Sequence, residues 1–289
     1  VVSAHPDWLL RDGRGLPLLS YAPDELESSG YDGLYLDPGS AAARRHLALL
    51  VHELLSSYDV DGVHLDYVRY PTRDCGFGPE ARGVFRSVLG REITSARQMR
   101  ESVEAARLWH VWRADQVTRL VRKLSRAVST VAPDACITAA VVPDARLAYE
   151  NYGQDWVGWL NQGLIDAAVT MTYARDPDLV TAQLEEGRGL TGPGGLIAGF
   201  GLFNQTVQEL IGKIESARGV GCDGLVLLGL EQLTDDPAYR YGLSLGPFRN
   251  RSIPYRCKRR ELNAFRPARV PWALPRVITP AYATMPPDG

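Results

Sequence analysis

The sequence is poor in the features that announce several large protein classes. Its four cysteines stand far apart, at Cys75, Cys136, Cys222 and Cys257, and no pair has the spacing of a metal-ligand set or a redox motif. A chain of this size needs no disulfide framework, so they read as structural residues, with Cys136 and Cys222 at the starts of apolar runs. An excess of one charge is also missing: 32 Lys and Arg face 34 Asp and Glu, a net of -2. Proteins that grip phosphate backbones carry a strong basic excess, so nucleic acid is not the expected partner. No apolar run approaches the ~20 residues that span a bilayer as a helix. No glycine-rich dinucleotide or phosphate loop follows a strand-like run, and no cluster of His, Asp and Glu has ligand spacing. Neither a metal nor an organic cofactor is therefore expected. The first residue is Val1, with no signal-peptide pattern before the globular sequence. Processing, or membership of a longer chain, is the expectation.

What remains is an ordinary globular composition, 45% hydrophobic and 23% charged over 289 residues. It excludes a disordered tail, a collagen and a coiled coil, and leaves room for one large domain or two small ones. Short apolar, β-branched runs recur at Gly62–Tyr67, Ile137–Val142, Ala167–Tyr173, Leu196–Phe200 and Leu225–Leu228. Such near-continuous runs predict a parallel sheet covered on its outer face. The last four begin roughly 30 residues apart, the length of one β/α unit. Between them, Ser40 is placed to cap a helix with Leu47, Leu50, Val51, Leu54 and Tyr58 on one face. A longer helix is expected over Ser102–Val131, with Trp109, Trp112, Val117, Leu120, Val121, Leu124 and Val128 as its stripe and Pro133 as its stop. Thr206–Arg218 reads as another, ended by Gly219. The stretch from Pro71 to about Thr94 has weak periodicity and reads as a long loop, a kind that is often functional. Alternation at this spacing predicts an α/β fold, either a doubly wound sheet or a (β/α)8 barrel, with the barrel preferred. Residues 246–289 form a basic, proline-rich tail, read as poorly ordered or as a basic arm.

Polar residues gather just past the C-terminal ends of the strand-like runs, where both folds place their sites. The richest segment is Tyr58-Asp-Val-Asp-Gly-Val-His-Leu-Asp-Tyr-Val-Arg-Tyr-Pro71. By strand parity His64 and Asp66 share a face, with Asp66 last. Beside Arg69 the Asp66 carboxylate would stay ionised, which suits a nucleophile or a stabiliser of a sugar oxocarbenium ion. The bland alternatives are an Asp66–Arg69 salt bridge without chemistry and a satisfied core histidine at His64. Asp61, Asp166 and Asp223, each at the start of a strand, read as turn-closing residues. Asp144 leads as general acid, against a solvated turn residue; Glu231 is in reserve, against a helix cap. Tyr70, Tyr173 and Asn204 are further candidates at strand ends. In Gln154-Asp-Trp-Val-Gly-Trp159, Gln154 and Asp155 are candidate polar contacts. Trp156 is a candidate sugar platform, and Trp159 is read as core.

Two motifs carry a resemblance. Tyr35-Leu-Asp-Pro-Gly-Ser40 followed by Tyr58–Pro71 is similar to the bacterial glycosyl-hydrolase-like family 10, which is distinct from the family 10 xylanases. The later Gln154-Asp-Trp…Trp-Leu…Gly-Leu-Ile-Asp…Met-Thr-Tyr173 resembles it too, so that the likeness covers about residues 1–245. It implies a (β/α)8 barrel and hydrolysis of the glycosidic bonds of a bacterial polysaccharide. Peptide-free peptidoglycan strands are one member's substrate, in the cell envelope or outside the cell. Asp66 then ends the fourth barrel strand, and Asp144 and Tyr173 end the fifth and sixth. The third strand would precede Asp37-Pro38, so a barrel piece with strands four to eight, lacking the first three β/α units, is expected. Asp61–Pro71 and Met171-Thr-Tyr173 also resemble the chitinase-type family 18 barrels. There a glutamate stands two residues beyond the last aspartate; here Val68 stands in that place, with Arg69 next. That departure argues against a chitinase and leaves a non-catalytic carbohydrate-binding barrel as the alternative.

Overall fold

A computed structural model describes residues 4–192 and 195–250 of the chain. Two short 3-10 turns, Pro6–Trp8 and Leu18–Ser20, precede α1 (Pro23–Ser28) and α2 (Ala41–Ser57). Then come β1 (Gly62–Leu65), α3 (Pro79–Leu89), α4 (Ala96–Arg100), the long α5 (Val103–Val131) and β2 (Cys136–Val141). They are followed by α6 (Ala145–Tyr152), α7 (Trp156–Asn161), β3 (Ala167–Met171), α8 (Pro177–Thr191) and β4 (Leu196–Gly201). The last elements are α9 (Val207–Val220), β5 (Gly224–Leu228), α10 (Leu230–Asp235) and α11 (Pro237–Leu245). The five strands pair in sequence order and all in parallel, His64 against Thr138, Ala140 against Val169 and Val169 against Ile197. This is a half-barrel with its helices outside. Cys75 and Cys222 are free thiols, and Cys136 is disulfide-bonded.

Strand parity sorts the side chains. Leu65, Ile137, Ala139, Val141 and Ala168 point outward into a core built with Trp109, Trp112, Val117, Val121 and Trp159. Ala198 and Phe200 enter a second core with Val180, Leu184, Leu210, Ile214 and Tyr239. The residues of opposite parity line the inner face, where Ala167, Val169 and Ile197 form a small buried cluster. Towards β5 that face opens, and Val226 and Leu228 are 40% and 48% exposed.

Local sequence explains most boundaries. The hydroxyls of Ser40 and Ser102 accept the N3 amides of α2 and α5, and Thr206 with Glu209 closes a capping box on α9. The strand-leading aspartates are structural, but they tie neighbouring strands and do not close turns: Asp166 Oδ2 accepts Ile137 N–H of β2 at 2.8 Å and Asp223 Oδ2 accepts Leu196 N–H of β4 at 3.0 Å. Three further expectations need correction. α9 runs through Gly219 and ends at Gly221, whose φ of +80° gives the left-handed cap. On α2 the core face holds Leu47, Val51 and Leu55, while Leu50, Leu54 and Tyr58 are exposed. The stretch after Pro71 contains α3, started by Pro79 in its first turn and anchored by buried Ala81 and Phe85. The expectation for the basic tail falls on residues outside the described ones from 251 onward.

Candidate active site

Asp66 directly follows β1, and its Oδ1 accepts the N–H of Tyr67 at 2.8 Å. Tyr67 has a φ of +54°, the one non-glycine residue with positive φ among the described residues. For an aromatic side chain this backbone costs about 1–3 kcal/mol and marks a place where the surroundings over-determine the conformation. The Arg69 N–H returns to the Tyr67 carbonyl at 2.8 Å, which tightens the turn. No ion pair joins Arg69 to Asp66 among the described residues. Its guanidinium lies over two rings instead, 5.4 Å from the centre of Tyr67 and 5.5 Å from that of Tyr152.

Tyr173, just beyond β3, joins this neighbourhood. Desolvation first, then the Asp66 charge, push its phenol upward, and Arg69 opposes them. A neutral hydroxyl that can donate is the result. Its ring stands edge-on to Phe203 at 5.9 Å, and its carbonyl accepts from Asn204 Nδ2 at 2.9 Å. Asn204 therefore positions the Tyr173 turn. His64 sits on the inner face with Nδ1 2.8 Å from Thr138 Oγ1. Desolvation holds its imidazole below the ordinary value while Asp66 pulls the other way. Asp66, Tyr67, Arg69 and Tyr173 thus gather at the C-terminal ends of β1 and β3, with His64 beneath.

Other sequence candidates land elsewhere. Gln154 is buried: its Nε2 donates to Ala140 O at 3.0 Å and Val68 O at 3.4 Å, and its Oε1 accepts Val142 N–H at 3.0 Å. It ties the ends of β1 and β2 together, with its amide bonded to backbone groups. Trp156 and Trp159 are fully buried, Trp159 donating to Thr118 Oγ1 at 2.9 Å, so Trp156 is core and no sugar platform. Tyr70 is also fully buried, with the Arg113 guanidinium 4.4 Å from its ring centre, and offers nothing to a substrate. Asp155 caps α7 through Gly158 N–H at 3.1 Å, and burial pushes its carboxyl up to about 6. Asp144 caps α6 through Leu147 N–H at 2.8 Å, and the carboxylate that feels its charge is Glu186 on α8. Glu231 lies exposed in the first turn of α10. Among the described residues no contact joins Asp144 or Glu231 to Asp66, whose electrostatic neighbours are His64, Tyr67 and Tyr173.

One carboxylate beside the site has no counterpart among the sequence candidates. Asp32 accepts the Tyr35 hydroxyl and its charge acts on that of Tyr67, while the Tyr35 and Tyr67 rings meet edge-on at 6.0 Å. Asp32-Gly33 reads in sequence as a common turn pair, so only the quoted neighbour Tyr35 hinted at it. Among the described residues, no group of His, Cys, Asp and Glu comes together as a metal site, and no helix is long and apolar enough to cross a membrane.

The family model for glycosyl hydrolase-like 10 proteins matches residues 1–188. The chain belongs to that family. Among solved structures, this glycosyl hydrolase-like 10 chain is similar to the glycoside hydrolase domain of PgaB (BpsB) from Bordetella bronchiseptica. The TM-score is 0.58 at 15% identity, over 72% of this chain and 63% of that one. It is also similar to β-galactosidase from the psychrophilic Marinomonas ef1, with a TM-score of 0.54 at 11% identity, over 78% of this chain and 41% of that one. At these identities the likeness shows the fold, a TIM-barrel type, and the chain spans less than two thirds of either protein. No curated protein matches it.

Proposed function

We propose that this chain is the part of a glycoside hydrolase barrel carrying strands four to eight, with Asp66 as the carboxylate at the reacting sugar. The observation that carries this reading is the gathering of Asp66, Arg69 and Tyr173 at the C-terminal ends of parallel strands in a glycosyl hydrolase-like chain. That end of such a sheet is where barrel enzymes hold their chemistry. The Asp66 carboxylate serves as nucleophile at the anomeric carbon or stabilises the oxocarbenium charge. Arg69 and the neutral Tyr173 hydroxyl supply donors to sugar oxygens. The substrate proposed is a bacterial polysaccharide, peptide-free peptidoglycan strands first, met in the cell envelope or outside the cell.

Asp144 is the proposed proton donor and Glu231 the reserve, and the structure supplies a clean test of the first. Asparagine caps a helix as well as aspartate does, so Asp144→Asn keeps α6 and removes only the acid. The main test is release of reducing ends from peptide-free peptidoglycan strands by the natural full-length protein, wild type against Asp66→Asn. Turnover in the wild type should fall by at least about 10²-fold in the variant; equal rates would remove Asp66 from the chemistry. A second reading, a non-catalytic carbohydrate-binding barrel, is favoured by Val68 in the place of the family 18 glutamate and by the cap role of Asp144. It predicts sugar affinity without turnover, unchanged by Asp66→Asn.

A further inference from the structure

Tyr67 is the part of the site that the proposed chemistry leaves unused. Its backbone is held in the left-handed region at φ +54°. Asp66 accepts its N–H and Arg69 donates to its carbonyl, both at 2.8 Å. The Arg69 guanidinium lies against its ring at 5.4 Å, and the Tyr35 ring meets it edge-on at 6.0 Å. The Asp32 carboxylate, which accepts the Tyr35 hydroxyl, lies against the hydroxyl end of Tyr67. With all of these contacts made, Tyr67 is still 53% exposed. A tyrosine fixed at its backbone, by a cation and at an edge, yet half in solvent, presents a surface rather than filling a core. Strained residues of this kind cluster at ligand clamps.

We propose that Tyr67, with Asp32 at its hydroxyl end, is a stacking subsite for one pyranose ring, adjoining the sugar that faces Asp66. The C–H face of a pyranose is apolar and flat enough to pack on an aromatic ring, where burial and dispersion favour it. Its rim of hydroxyls then meets Asp32, a carboxylate whose spare lone pairs accept O–H donors. The Arg69 guanidinium on the ring makes the stack rigid before the sugar arrives, so little ordering is needed on binding. The register comes from the chain itself. Tyr67 is the residue next to Asp66, so a sugar on its ring adjoins the one that Asp66 faces. Only this register rests on the proposed role of Asp66; the stacking belongs equally to a protein that binds without turnover.

The test is binding of two probes, chitin hexasaccharide and peptide-free peptidoglycan strands, to the full chain carrying Asp66→Asn so that no probe is consumed. Adding Tyr67→Gly removes the ring and keeps the turn, because glycine adopts positive φ without penalty. Its thermal midpoint should therefore hold while affinity falls about tenfold. Tyr67→Phe should bind within about threefold of the parent, and Asp32→Asn should weaken binding by about three- to tenfold. Tyr67→Gly binding both probes as tightly as its parent overturns the subsite, and so does a parent that binds neither. Affinity that Tyr67→Gly weakens, in a protein whose Asp66 form releases no reducing ends, upholds the subsite and removes the hydrolase reading alone.

Discussion

Replacing Asp37 by asparagine should remove a charge that the fold holds against its solvation. Asp37 is almost fully buried where the chain enters α2, and its Oδ1 accepts Gly39 N–H at 2.8 Å. Desolvation pushes its carboxyl from 3.8 up to about 6, the Gly39 hydrogen bond opposing it and the Glu80 charge adding to it. The sign follows from proton linkage. Between pH 4 and 6 the folded state keeps a proton that the unfolded chain has lost, so stability falls as pH rises through that window. At about 1.4 kcal/mol per pH unit, the ionised group costs the folded state about 3 kcal/mol at pH 8. Asparagine keeps the Oδ1 acceptor for Gly39 and turns the other oxygen into a donor. That atom stands where Gly78 approaches, 2.8 Å from an ideal Cβ there, with Glu80 close by. The expected result, in urea denaturation with a common m-value, is a wild type in which Asp37 accounts for about 3 kcal/mol of the stability lost from pH 4 to pH 8, beside the loss that Asp155 brings over the same window. Asp37→Asn should lack that part of the loss and be the more stable protein at pH 8. A variant less stable than wild type at pH 8, with the same pH slope, would show that Arg44 and Arg11 hold Asp37 as a favoured anion and would refute the desolvation argument.

Gln154→Leu should cost about 3–5 kcal/mol in the same assay, because it leaves the Val142 amide and the Ala140 carbonyl without their buried partners. Arg113→Lys should cost about 2–4 kcal/mol and loosen the segment after Pro71, since one ammonium cannot reach the Thr72, Arg73 and Asn151 carbonyls that the guanidinium fork satisfies. The His64 imidazole should titrate below the ordinary 6.5 by NMR, and Asp66→Asn should lower it further by removing the one charge that favours its protonated form.

The strands were legible in the sequence because strands buried on both sides read as continuous apolar runs, and β2 to β4 are such strands. The long α5 was legible for a similar reason, since Trp109, Trp112, Val117, Leu120, Val121, Leu124 and Val128 keep helical spacing and all are buried. α3 was not, because Gly83 interrupts a helix held by only two fully buried side chains. At the candidate site, strand parity and strand ends pointed to Asp66, Arg69 and Tyr173, which the structure brings together. Gln154 and Tyr70 misled for one physical cause. A polar group at a strand end serves a ligand or the backbone, and nothing in its identity says which. Here the Gln154 amide matches two carbonyls and an N–H that the turns leave open, and Tyr70 packs under Arg113. Asp32 is the reverse case: a turn aspartate in sequence comes to lie beside the candidate site only once Tyr35 and Tyr67 are folded together.

The position of β1 bears on what a binding or activity experiment reads. β1 is an edge of the five-stranded sheet, paired on one side with β2 and free on the other among the described residues. Asp66 follows that edge strand, so β2 and β3 flank the carboxylate on one side, and among the described residues no strand pairs with β1 on the other. An open edge is a strong template for further pairing, and the exposed Val226 and Leu228 show that the inner face is unfilled at the other edge too. Catalysis asks for a water-excluding site with donors fixed around the reacting carbon, and the proposed hydrolase would need a strand paired with β1 to provide one. Sugar stacking on Tyr67 asks only for a ring, a carboxylate and a rigid turn, and all three lie within residues 32–69. Affinity and turnover are therefore separable here: the first should survive in any version of the chain that keeps β1 and its turn, and the second should depend on closing the sheet.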